Sequence, residues 1–394
     1  MRAIKVPEAP HLDRRRFLKY VGAGAVAVGG AAAGYYVASK QPGCASTGTV
    51  VTPSQVNSAA TTITVTKTTV ETESCLASLR AAADARELLV GAAAEPDYFY
   101  DPPYPTTLAH EFNFATTETA MQWGTSNPDE GHWNFGRADA LVEFANQHRM
   151  KIKGHPLVWD KFQLPYWVNS EMSADELRRA MQERIQTLVG RYKGKVYAWD
   201  VVNEAVDDYD GLRKGLFFNK LGEGYVAEAF RLAHEADPDV FLFYNDYEAE
   251  GLGGKSDRVY QLVKKLLNDG VPIDGIGLQM HISATDYPNP KEIAANIRRL
   301  TALGLKVNIS EMDVRIRDLT GSLPKRLEVQ QQVYHDIIAA CIKEQGFIAV
   351  TFWGFTDAHS WIDSWFGADD PLLFDEDYKP KPAYWGVLEA LLGE

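Results

Sequence analysis

Cysteine is nearly missing from this chain of 394 residues, which has three: Cys44, Cys75 and Cys341. Three thiols build no disulfide framework, although a single Cys75–Cys341 bridge is open to the chain in an oxidising compartment. No Cys/His group has metal-ligand spacing, so no metal site is expected. Positive charge is short as well. Lys and Arg number 40 against 53 Asp and Glu, a formal net charge of −13. Nothing here neutralises a phosphate backbone, which excludes nucleic acid as a partner. A Gly-rich phosphate turn after the first apolar strand is also missing. The stretch Leu88-Leu-Val-Gly-Ala-Ala-Ala-Glu95-Pro96 has no such pattern, which argues against a doubly wound open sheet.

Between residues 45 and 74 aromatics all but vanish, and Ser, Thr and Val dominate. Such a segment cannot bury enough apolar surface to fold alone and reads as an extended stalk. Ahead of it, Arg14-Arg15-Arg16-Phe17-Leu18-Lys19 is followed by a Gly/Ala/Val run over 20–37. Paired arginines before a weakly hydrophobic stretch resemble a twin-arginine export signal. So many Gly and Ala make a poor membrane anchor, although the run is near spanning length. The expected organisation is a signal segment over 1–43, a Ser/Thr-rich linker over 44–75 and one folded domain over 76–394. The protein is expected to be secreted or attached to the cell surface. Its membrane contact is then limited to the signal or to a lipid on Cys44.

What the chain does have is a regular alternation of short apolar strands with amphipathic segments. Strands are expected over 88–94, 111–118, 151–159, 197–204, 240–247, 275–282, 306–314 and 347–355. Helical spacing of apolar residues runs over 138–148, 174–192, 225–236, 256–269, 291–303 and 327–345. Clusters such as Ala236-Asp237-Pro238-Asp239 mark the joints. Alternating strand and helix predicts a parallel sheet. Eight such units over this length predict an α/β fold, a closed (β/α)8 TIM barrel.

The central stretch is Tyr197-Ala-Trp-Asp-Val-Val-Asn-Glu204, an apolar strand that delivers an amide and a carboxyl at its end. The stretch Val307-Asn-Ile-Ser-Glu-Met-Asp313 has the same design. Barrel enzymes keep their chemistry at the carboxyl ends of the strands. The other strands end in like fashion: Glu118 with Gln122 and Trp123, His155 with Trp159, Asn245 with Tyr247, Gln279 with His281, and Trp353. Singly each has an ordinary packing role. Together they place carboxyls, amides, imidazoles and indoles at one face. Two carboxyls on separate strands are the minimum for cleaving a glycosidic bond, one giving a proton to the leaving oxygen and one facing the anomeric carbon. The donor has to hold its proton until the leaving oxygen takes it, and partial burial beside a second carboxylate favours that.

These motifs resemble glycoside hydrolase family 10, whose best-known members are endo-β-1,4-xylanases. Asp200-Val-Val-Asn-Glu204 is similar to the family's acid/base motif, and Ile309-Ser-Glu-Met-Asp313 to its nucleophile motif. Gly154-His155-Pro-Leu-Val-Trp159, Tyr244-Asn-Asp-Tyr247, Gly277-Leu-Gln-Met-His281, Thr351-Phe-Trp-Gly-Phe-Thr-Asp357 with Trp361, and Lys379-Pro-Lys-Pro-Ala-Tyr384 also match. The resemblance implies a retaining endo-β-1,4-xylanase that needs no cofactor, acts on a β-1,4-linked polysaccharide and works as a monomer. Glu204 is then the acid/base and Glu311 the nucleophile, with His281 on Glu311 and Asp313 orienting His281. The resemblance places Glu118, Thr119, Gln122, His155, Trp159, Asn203, Tyr247, Gln279, Trp353 and Trp361 against the sugar.

Three positions depart from that pattern. Thr119 and Gln122 stand where the family has Asn and Lys, and Asp160 follows Trp159 where it has His. These changes fall on the glycon side, so a β-1,4-glucanase or a broad β-1,4-glycanase is the alternative enzyme. A sugar-binding protein with an inactive barrel is the alternative outside enzymes, and the intact pair Glu204 and Glu311 argues against it.

Overall fold

Almost wholly buried runs alternate with helices, and every ladder between the runs is parallel. The computed structural model describes residues 78–394. The signal segment and the whole linker, with Cys44 and Cys75, therefore lie outside the described residues. The strands are β1 (Leu89–Ala94), β2 (Phe114–Thr117), β3 (Lys151–Gly154), β4 (Ala198–Asn203) and β5 (Phe241–Asp246). They continue as β6 (Gly275–Leu278), β7 (His281–Ser283), β8 (Lys306–Arg315) and β9 (Phe347–Phe352). Hydrogen-bonded neighbours run β6-β5-β4-β3-β2-β1-β9-β8, and β6 also pairs with β8. The sheet therefore closes. Because β7 continues the β6 stave after a break, the ring has eight staves, and the fold is a (β/α)8 barrel.

Helices cover the outside where apolar residues recur at three- and four-residue spacing. The helix Ala174–Arg191 begins with a capping box, Ser173 and Glu176 each bonding the other's backbone N–H. Its buried face carries Arg184. That guanidinium donates to the carbonyls of Leu157 (2.6 Å), Pro156 (2.9 Å) and Met121 (2.8 Å) and to Ser126 Oγ (3.0 Å). Burial alone pulls its proton affinity down to about 9. One interior cation thus stitches together the segments that follow β2 and β3.

Four expected strands differ by more than one residue from those observed, the last of them, expected over 347–355, ending at Phe352. Glu111 ends the helix Pro103–Glu111, where its carboxylate accepts from the Leu79 N–H and the Tyr384 hydroxyl, both at 3.0 Å. Beyond Gly154 the ladder of β3 stops, because Pro156 has no N–H to give; only Val158 pairs again, with Val202. The sixth stave breaks at Gln279-Met280, where Met280 takes φ +66° and donates its N–H to the buried Glu250 carboxylate at 2.9 Å. Cys341 is wholly buried on the helix Leu323–Cys341, and burial raises its thiol well above the ordinary value.

Candidate active site

The carboxyl ends of the strands open into a groove of about 890 Å³. Glu204 lies one residue past β4 with φ +55°, a left-handed conformation that costs a non-glycine residue energy. Its N–H is held by the Asn245 carbonyl at 2.9 Å. The carboxyl is buried. Its Oε1 accepts from Gln279 Nε2 at 3.2 Å and from Asn203 Nδ2 at 3.5 Å. Its Oε2 has no hydrogen-bond donor, and the Lys161 ammonium stands 3.4 Å away as an ion-pair contact.

Glu311 projects from within β8 and is differently held. Its Oε1 accepts from Asn245 Nδ2 at 2.5 Å, and its Oε2 from His281 Nε2 at 3.1 Å. The same Asn245 amide donates to Asn203 Oδ1 at 2.9 Å, and Gln279 Nε2 reaches that oxygen at 3.3 Å. Three amides therefore link the two carboxyls. Asn245 is aimed by the Ser310 hydroxyl, which donates to its Oδ1 at 2.6 Å. Gly277 leaves it room: a Cβ there would lie 2.1 Å from that oxygen.

The break in the sixth stave turns His281 toward β8, in register with Asp313. Its Nδ1 bonds Asp313 Oδ2 at 2.7 Å, so each ring nitrogen faces a carboxylate. Burial alone would lower the proton affinity of the ring. Asp313, and then Glu311, overturn that and hold it at about 10. His281 is thus an imidazolium that donates to both. Asp313 itself is fully buried behind His281, away from the groove, and is also held by Trp361 Nε1 at 2.8 Å.

Glu118, Thr119 and Gln122 lie beyond β2 and line the groove. Burial, reinforced by Glu95 against the pull of Arg137, pushes the Glu118 carboxyl up to about 8. The Thr119 N–H is spent on Glu95 at 2.5 Å. Gln122 donates to the Glu118 carbonyl at 3.3 Å, while its buried Oε1 has no partner. His155 is fixed by the interior Asp200, which bonds its Nδ1 at 2.9 Å and also pairs with Lys153. Its ring meets Trp353 edge-on at 5.1 Å. Trp159, Trp353 and Trp361 present indoles to the groove, and Tyr247 closes its far wall. The Tyr247 hydroxyl donates to Asp208 at 2.6 Å, and Lys255 stands 3.1 Å above its ring.

Asp160 does not join this set. Its carboxyl packs over Gly215, facing the backbone N–H groups of Phe217 and Leu216, and it does not line the groove. It serves the start of the helix Leu216–Leu221, so its difference from the family pattern does not change the sugar site directly. Two of the residues whose side chains touch the paired carboxyls, Asn245 and Lys161, were not assigned to the site from the sequence. Asn245 carried a signal, since it ends its strand in an amide as Asn203 does. Lys161 carried none, being one charged residue in a loop.

The sequence model of glycosyl hydrolase family 10 matches residues 78–390. The chain belongs to this family. Its relatives in family 10 include endo-1,4-beta-xylanase B of Thermotoga neapolitana, 40% identical over 79% of this chain and 91% of that protein. The beta-1,4-xylanase of Dictyoglomus thermophilum is also 40% identical, over 76% of this chain and 87% of its own length. Among solved structures, xylanase 10B from Thermotoga petrophila RKU-1 in complex with xylobiose superposes with a TM-score of 0.77 at 40% identity. That match covers 80% of this chain and 97% of the other. As a family 10 member the protein is a retaining glycoside hydrolase, the class that works through two carboxyls in unlike settings.

Proposed function

We propose that the protein is a secreted endo-β-1,4-xylanase that cleaves the xylan backbone by double displacement. The observation that carries the residue assignment is the asymmetry of the pair. Glu311 accepts from an imidazolium and an amide, while Glu204 has one oxygen with no hydrogen bond and only the Lys161 ammonium 3.4 Å away. Hydrogen bonds to a carboxylate favour its charged form, which suits Glu311 as the nucleophile. Its oxygen attacks the anomeric carbon as Glu204 passes its proton to the departing glycosidic oxygen. Glu204 then takes a proton from water, which releases the sugar from Glu311 with configuration retained. Asn203 offers its amide toward the ring hydroxyl next to the reacting carbon, where contacts strengthen in the transition state. Trp353 and Trp361 cover the apolar side of the ring.

The test compares xylan with an activated aryl xyloside. Glu311→Gln is expected to abolish turnover of both, since no other group forms the glycosyl-enzyme. Glu204→Ala should spare the aryl substrate, whose leaving group needs no proton, by orders of magnitude relative to xylan. Equal losses on both substrates would remove Glu204 from the acid role.

The β-1,4-glucanase or broad glycanase reading is favoured by one observation, the uncharged end of the groove at Thr119 and Gln122 with its unpaired amide oxygen. Reducing-sugar release from xylan, carboxymethylcellulose and mixed-linkage glucan separates it from the first. Export by the twin-arginine route rests on Arg14 and Arg15 ahead of their apolar run. Changing Arg14→Lys with Arg15→Lys should keep the enzyme inside the cell, and unchanged extracellular activity would defeat that part.

A further inference from the structure

The loop that follows β3 runs across the groove. Asp160 anchors it over Gly215, in the segment beyond β4. The Gln163 carbonyl accepts the Gly124 N–H at 2.7 Å, which ties it to the segment beyond β2. Between these anchors Lys161 reaches Glu204, and its ammonium stands 5.6 Å from the centre of the Phe162 ring. That ring meets Trp365 nearly edge-on, with centroids 5.3 Å apart and planes at 79°.

Trp365 belongs to the helix Ile362–Phe366, which follows β9. In the ring of strands β3 and β9 are separated by β2 and β1. A contact between Phe162 and Trp365, both lining the groove, therefore spans the side of the ring that carries those two strands. That is where Glu118, Thr119 and Gln122 sit. The bridge continues on either side: Trp159 stacks edge-on against Phe162 at 5.4 Å, and Trp361 against Trp365 at 6.3 Å. Phe162 and Trp365 remain 39% and 60% exposed, so the outer face of the bridge is open to water and its inner face looks down on the groove.

We propose that Phe162 and Trp365 form a roof over the Glu118–Gln122 end of the groove and so restrict that end to unbranched sugar units. The inference rests on the xylanase reading. A backbone pyranose carries free hydroxyls on ring carbons outside the linkage, and a substituent there projects away from the chain. In an open cleft such a branch points into water. Under a roof it meets two aromatic rings, whereas a bare ring slides beneath them. The selection is steric, and a single methylene more or less in an apolar pocket already discriminates by about 10- to 200-fold.

The experiment compares kcat/KM on linear xylo-oligosaccharides with that on oligosaccharides of equal length bearing arabinose or methylglucuronate branches. It uses the unaltered enzyme, Phe162→Ala and Trp365→Ala. Both side chains are partly or largely exposed, so neither variant puts folding at stake, and circular dichroism checks this. In each variant the branched-to-linear ratio is expected to rise at least about tenfold, with product analysis locating the newly tolerated branch on the glycon side. An unchanged ratio, or equal losses on both substrates, overturns the roof and leaves the rings as packing or stacking groups. If the unaltered enzyme fails on linear xylo-oligosaccharides, the xylanase reading falls first and this inference falls with it.

Discussion

Replacing Asp313 by Asn removes one negative charge from behind His281 and almost no volume. In the intact protein burial works against protonation of the ring, yet Asp313, followed by Glu311, holds it at about 10 against an ordinary 6.5. One unit corresponds to about 1.36 kcal/mol, so the protonated ring stabilises the fold by on the order of 5 kcal/mol below pH 6.5. The sign follows from the raised folded-state value. The contribution is complete below 6.5 and disappears as pH climbs toward 10.

In Asp313→Asn the burial remains and the larger counter-charge is gone, so His281 is neutral at pH 7 and Glu311 loses its charged donor. The expected destabilisation near pH 6 is about 3–5 kcal/mol, the usual cost of breaking a buried pair on one side. Urea unfolding of both proteins at pH 6, 8 and 9.5 measures it. The gap between the two curves should narrow steadily as pH rises, because the intact protein loses what the variant never had. An NMR titration of His281 should place its midpoint far above 6.5 in the intact enzyme and well below that in the variant. A gap that stays constant with pH, or a ring that titrates near 6.5 in the intact enzyme, would refute the imidazolium bridge.

Two further substitutions probe the same end of the barrel. Gly277→Ala puts a Cβ 2.1 Å from Asn245 Oδ1, so the amide that touches both Asn203 and Glu311 has to move. Turnover on any substrate should fall on the order of 100-fold with KM little changed, and an unaltered kcat would show that Asn245 is dispensable. Thr119→Asn with Gln122→Lys restores the family residues beside Glu118. A hydrogen bond to a charged group is worth roughly 1.5–3 kcal/mol, about ten- to a hundredfold in binding. If the site has been rebuilt for its own substrate, the double variant should lose activity on that substrate by about such a factor. A gain of that size on xylan would mean the site had only been weakened, and no change would mean neither side chain touches the sugar.

How much of this was legible in the sequence depended on the range of the signal. Strand and helix leave a local trace, because burial on both faces demands an unbroken apolar run and burial on one face a period. The eight-stave barrel followed from that, as did both carboxyls, since a polar residue ending an apolar strand stands out within a few positions. The helix Pro382–Leu392 left no such trace: it is buried almost all round, and a helix apolar on every side has no period. The late start of β2 at Phe114 and the break at Met280 also escaped, because side chains from elsewhere decide them. Asn113 pairs with Val90 in place of a ladder, and Glu250 holds the turn.

Where side chains point was a matter for the tertiary structure. Asp160, adjacent in sequence to the groove residue Trp159, faces a helix start instead of the sugar. Asp313 reaches the groove only through His281 and Trp361, and Asn245 joins the two carboxyls across three strands. The meeting of Phe162 with Trp365 joins the loops after β3 and β9. The sequence by itself determined the barrel, the family and the pair of carboxyls, because each is written in neighbouring residues. The linked amides, the charged imidazole and the roof were decided only by the closed ring of strands. Closure sets residues far apart in the chain within hydrogen-bond and ring-contact distance, and no local pattern encodes that.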